Sequence, residues 1–141
     1  MRNSGAGNET IPHSQKGVLT VTTMNTVIGY VDGVKPNVYT DEDKYRWINQ
    51  LEGMLSTEVF GDPEPLCYHI PADADRSLRV GHPFEEVYSL YVMAMIDFHN
   101  REYGNYNNAM LMFRERLEQL KAWHIRTREV TGGRNFRKVM G

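Results

Sequence analysis

The chain of 141 residues contains a single cysteine, Cys67, so an internal disulfide is excluded and the composition suits a reducing compartment such as the cytoplasm. Long apolar runs are missing too. The longest mostly apolar stretch, 87–98, is interrupted by Ser89 and Asp97 and falls short of the roughly 20 residues that a bilayer span requires. The first nine residues, Met-Arg-Asn-Ser-Gly-Ala-Gly-Asn-Glu, lack the apolar centre of a signal peptide. No P-loop, dinucleotide-binding glycine turn or nucleophile elbow occurs, and Gly132-Gly133-Arg134 follows no strand and opens no helix, as phosphate-cradling glycines do. The five histidines, His13, His69, His82, His99 and His124, show neither HExxH nor a four-residue helical pair. No carboxylates are forced by spacing into an acid–base pair. Catalytic residues, metals and cofactors are therefore expected to be none.

What is present is a globular composition, 40% hydrophobic and 24% charged, at the size of one domain. The net charge of −2 hides an asymmetry. Residues 1–113 carry 8 Lys and Arg against 15 Asp and Glu, a balance of −7; residues 114–141 carry 8 against 3, a balance of +5. An acidic body with a basic end predicts two surfaces with different partners.

The pattern predicts an all-α fold: a small four-helix domain with a long antiparallel helical hairpin and extended N- and C-terminal arms. Residues 1–23 read as a flexible arm with a β-favouring run, Val18-Leu19-Thr20-Val21-Thr22, too short to form a sheet alone. Thr23 caps a first helix over 24–32, with Gly33 as a left-handed terminator and Pro36 blocking continuation. Thr40 before Asp41, Glu42 and Asp43 opens a second helix whose stripe is Tyr45, Ile48, Leu51, Leu55 and Val59, at three- and four-residue steps. A long loop, 61–82, follows, with one short strand expected at 66–70; loops of this length tend to be functional. Pro83 is placed to open the third helix and Gly104 to break it. Asn105 is placed to cap a fourth helix with the stripe Tyr106, Met110, Phe113, Leu117, Leu120 and His124.

The third helix is apolar on nearly every side (Phe84, Val87, Tyr88, Leu90, Tyr91, Val92, Met93, Met95, Ile96, Phe98), whereas a surface helix shows one apolar stripe. It must be enclosed by its own fold or by neighbouring subunits. Tyr88, Tyr91, Met95, Tyr106, Asn107, Phe113 and Trp123 are thus candidates for subunit contact or core packing. Asp41, Glu42, Asp43 and Glu52 form a candidate acidic face, able to let a DNA duplex slide past without sticking. Residues 128–141 form a basic docking tail in which Arg134, Phe136, Arg137, Lys138, Val139 and Met140 are the candidate partner-binding residues.

These segments resemble the helical head–tail connector (adaptor) proteins of tailed bacteriophages of Gram-positive hosts. The resemblance rests on Pro83-Phe84-Glu85-Glu86-Val87-Tyr88, Tyr91 through Phe98, Glu102-Tyr103, Tyr106-Asn107-Asn108-Ala109-Met110, Phe113 and Trp123 ahead of Arg126-Thr127. Upstream, Val34-Lys35-Pro36-Asn37 and the stretch from Asp41 through Trp47 to Gly53 are similar to the same family's first helices. The likeness spans 24–127 in order; the polar N-terminal arm and the 61–82 loop depart from it. It implies a non-enzymatic virion protein at the head–tail interface, made in the host cytoplasm, with about twelve copies in a closed ring. It further implies a portal protein on one side, neck or tail proteins on the other, passage of DNA through the ring, and no membrane. The alternative reading is a small helical DNA-binding or regulatory protein using its basic C-terminus, which the acidic body opposes.

Overall fold

The computed structural model describes residues 21–140, with side chains described to residue 128. Four helices follow one another: α1 (Met24–Val34), α2 (Asp41–Glu58), α3 (Glu86–His99) and α4 (Tyr103–Met140). The described residues contain no strand. The fold is all-α.

Thr23 opens α1 through a reciprocal cap: its hydroxyl accepts from the Thr26 N–H at 3.1 Å, and its own N–H donates to Thr26 Oγ1 at 2.9 Å, an arrangement worth about 1 kcal/mol. The helix outlasts its expected end at 32. Gly33 stays helical and the Lys35 N–H closes the last turn on Val31 O at 2.7 Å. Thr40 caps α2 as its sequence predicts, accepting from the Asp43 N–H at 3.1 Å. Beyond Val59, Gly61 takes a positive φ of 71°, the left-handed conformation that glycine adopts without penalty.

Residues 82–85 are tight turns rather than α-helix, because the N–H groups of Phe84, Val87 and Tyr88 reach carbonyls only three residues back. The helix proper therefore starts at Glu86, not at Pro83. Its end also differs from expectation. The Arg101 N–H bonds Phe98 O at 3.0 Å and the Glu102 N–H bonds Asp97 O at 2.9 Å, which is the Schellman pattern. Arg101, at φ 63°, fills the left-handed position usually held by glycine. Gly104 and Asn105 accordingly lie inside α4, which begins at Tyr103.

α3 and α4 run antiparallel. Ring pairs Phe98–Tyr106, Tyr91–Phe113 and Phe84–Trp123, each with centroids 5.3–5.4 Å apart, step down one helix as they step up the other. With 14 and 38 residues the helices measure about 21 and 57 Å. The C-terminal arm is thus a continuation of α4 beyond the body.

The core gathers Met24, Val27, Ile28 and Val31 of α1, Trp47, Ile48, Leu51 and Leu55 of α2, one face of α4 through Phe113 and Leu120, and nearly all of α3. The long connection between α2 and α3 closes the remaining side with Tyr68, Ala74, Leu78 and Val80. No helix is long and apolar enough to cross a membrane among the described residues.

Candidate interaction surface

α3 resolves the choice its composition posed. Val87, Tyr88, Val92, Ala94 and Ile96 are fully buried within a single copy, because α1, α2 and α4 all pack against this helix. Most of its apolar girth is covered by its own chain, and Phe98 stays 43% exposed. Tyr88 and Phe113 are core residues; Tyr91, Met95 and Tyr106 are half-buried in the hairpin seam; Asn107 and Trp123 are exposed. Asp97, buried on α3, has Lys35 Nζ 2.7 Å from its Oδ1, off the line of a hydrogen bond.

The expected acidic face divides. Asp41 and Glu42 are exposed on the first turn of α2, and Asp43 is half-exposed beside Arg46 at 3.2 Å. Glu52 does not join them. It is completely buried, facing away from solvent into the loop. Its Oε1 accepts from the Tyr88 hydroxyl at 2.7 Å; its Oε2 accepts from the Tyr68 hydroxyl at 2.8 Å and from the Arg79 N–H at 2.5 Å. The Tyr88 hydroxyl in turn accepts from the Val80 N–H at 2.9 Å. A buried carboxylate is tolerated only when its lone pairs are satisfied in this way. Burial, and then the neighbouring Glu52 charge, push both phenols above the ordinary tyrosine range.

That network fixes the 61–82 connection as a structural cover. The strand expected at 66–70 is absent because a side chain takes a strand's place: Asn49 Oδ1 accepts from the Tyr68 N–H at 2.9 Å and Asn49 Nδ2 donates to Tyr68 O at 3.2 Å. Ser56 Oγ accepts from the Leu66 N–H, and the Leu78 N–H donates to Thr22 O at 2.7 Å. Arg79 pairs with Asp62 and lies over the Phe60 ring, its guanidinium carbon 4.2 Å from the centroid. That hydrogen bond holds Asp62 below the usual carboxylate range.

His69 and His82 are exposed, whereas His99 and His124 lie against aromatic rings. His99, itself exposed, stacks on Trp47 at 5.3 Å with the rings 8° from parallel. His124 packs edge-on against Phe60 at 4.8 Å; its buried Nε2 has no hydrogen-bond partner among the described residues. No group of three metal-ligating side chains occurs among the described residues.

Exposed large apolar side chains lie on α4 and also at Tyr30, Val34, Val38 and Phe98. On α4 these are Tyr103, Leu111, Met112, Trp123 and Ile125, since this helix packs chiefly against α3 and shows its other sides to solvent. Of the predicted docking residues, Arg134, Phe136, Arg137, Lys138, Val139 and Met140 belong to the helical continuation, and their side chains lie outside the described residues. Val18, Leu19 and Thr20 lie outside them too. No family model, curated protein or solved structure matches the chain.

Proposed function

We propose that this chain is a structural protein of a tailed-bacteriophage virion, a head–tail connector whose copies form a ring beneath the portal, extend the DNA channel and link capsid to neck and tail. The observation that carries this reading is α4: a helix of 38 residues, packed on one side along its first part and continuing past the body with a basic, apolar end. Large unpartnered apolar side chains on a monomer mark association surfaces. Tyr103, Leu111, Met112 and Ile125 would meet neighbouring copies, and the segment from Arg134 to Met140 would enter the portal with Phe136 as anchor. Asp41 and Glu42 would turn repulsive charge toward passing phosphates.

Negative-stain imaging of the purified chain with and without its portal tests the proposal. Rings, or density capping the portal, are the expected result; a chain that stays solitary with portal present ends it. A chain truncated after Thr127 should keep its helical spectrum and lose portal binding. The DNA-binding alternative predicts a tight gel shift that weakens steeply with salt, and the connector reading predicts none.

A further inference from the structure

Phe60 just past α2, the segment from Arg79 to Phe84 ahead of α3, and Trp123 and His124 of α4 surround a cavity of about 310 Å³. That is room for one aromatic ring with a short side chain. Its walls are of two kinds. Phe60, Phe84 and Trp123 supply aromatic surface, with Trp123 5.3 Å from Phe84 and His124 edge-on to Phe60 at 4.8 Å. Arg79, His82 and His124 supply ring and guanidinium nitrogens. Trp123 is 39% exposed and His82 is exposed too, so a ligand can reach the cavity from solvent.

These nitrogens are not used up by the fold. Asp62 engages Nη1 and Nη2 of Arg79 once each, which leaves Nε and the remaining Nη hydrogens without an acceptor among the described residues. The same pair holds the guanidinium over Phe60, 4.2 Å from the ring centroid, so little ordering is left to be done on binding. His124 Nε2 is buried with no hydrogen-bond partner among the described residues, a state that costs stability until a partner arrives. His82 turns its Nδ1 to Glu85 Oε2, 3.3 Å away.

We infer that this cavity binds a small aromatic carboxylate, its ring lying against Trp123 and Phe84 and its carboxylate accepting from Arg79 and from His124 Nε2. A carboxylate satisfies several donors at once and bonds to a guanidinium more strongly than a neutral acceptor does. A cation is disfavoured because Arg79 already lies over the Phe60 ring, and a purely apolar ligand would leave the donors unpaired. The site does not depend on ring assembly.

The test uses the full chain with phenylacetate as probe, phenylacetamide as its uncharged isostere and acetate as the acid without a ring. Phenylacetate should change tryptophan fluorescence saturably, and both controls should need at least about tenfold higher concentration. Trp123→Phe keeps an aromatic wall and should abolish the change; a change that persists would come from Trp47, the other tryptophan, and would place the ligand elsewhere. Arg79→Gln should weaken phenylacetate about tenfold and leave phenylacetamide unaffected, a split that a general loss of structure would not produce. Equal affinity of the wild type for phenylacetate and phenylacetamide would overturn carboxylate recognition, and no saturable change would overturn the site.

Discussion

The two helices of the hairpin differ in what surrounds them. α3, the shorter, is embraced by three helices and buries most of its apolar surface inside one copy, Phe98 excepted. α4 is far longer, carries more charge, and leans on α3 along one side only. An intensely apolar segment is thus no signature of assembly by itself, because a small domain can spend such a helix as its central pillar. The half-apolar helix, with isolated large side chains left in water, is the better pointer to a partner.

The sharpest way to break this contrast is at the pillar. Glu52→Ala removes the acceptor shared by Tyr68, Tyr88 and Arg79 and should cost about 3 kcal/mol or more, measured as a drop in denaturation midpoint with loss of the loop's protection from proteolysis. Leu111→Glu on α4 should change stability by less than about 0.5 kcal/mol and, under the proposed ring assembly, should abolish self-association in sedimentation experiments; a variant that still associates would move the contact off this face.

Alkaline titration probes the pillar by itself. Tyr68 and Tyr88 hold their protons in the folded chain above the ordinary 10.0, while an unfolded chain releases them near that value. Their contribution is complete below pH 10 and erodes as pH rises beyond it. Tyr88→Phe should reduce the slope of stability against pH in that range by about 1.4 kcal/mol per pH unit. The smallest effect lies at the turn joining the helices: Arg101→Gly should stabilise the chain by roughly 0.5 kcal/mol, relieving the left-handed strain of a side-chain-bearing residue.

The helices were readable because their signals are local. Thr23 and Thr40 cap where hydroxyls precede apolar periodicity, and Ile48, Leu51 and Leu55 line the core as their spacing dictates. Glu52 was misplaced because it follows an acidic helix start, yet its position betrays it: four residues after Ile48 and three before Leu55, it falls within the buried stripe. The loop was opaque for another reason. Its backbone groups bond to side chains such as Asn49 and Ser56, 10 to 19 residues away, and no periodicity records such pairings. Arg101 went unnoticed because glycine is the usual terminator and Gly104 stood three residues on. The interaction surface was legible only as charge asymmetry, since which apolar residues of α4 stay wet depends on how much of the helix α3 can cover.

Because α4 is gripped only along its first part, it has the mechanics of a lever. Trp123 and His124 lie against Phe84 and Phe60 of the body, and the helix continues to Met140, roughly 25 Å farther on. A bend of about 5° just past His124 would swing the far end by about 2 Å over that length. Small readjustments in the grip of α3 would therefore arrive magnified at the tip.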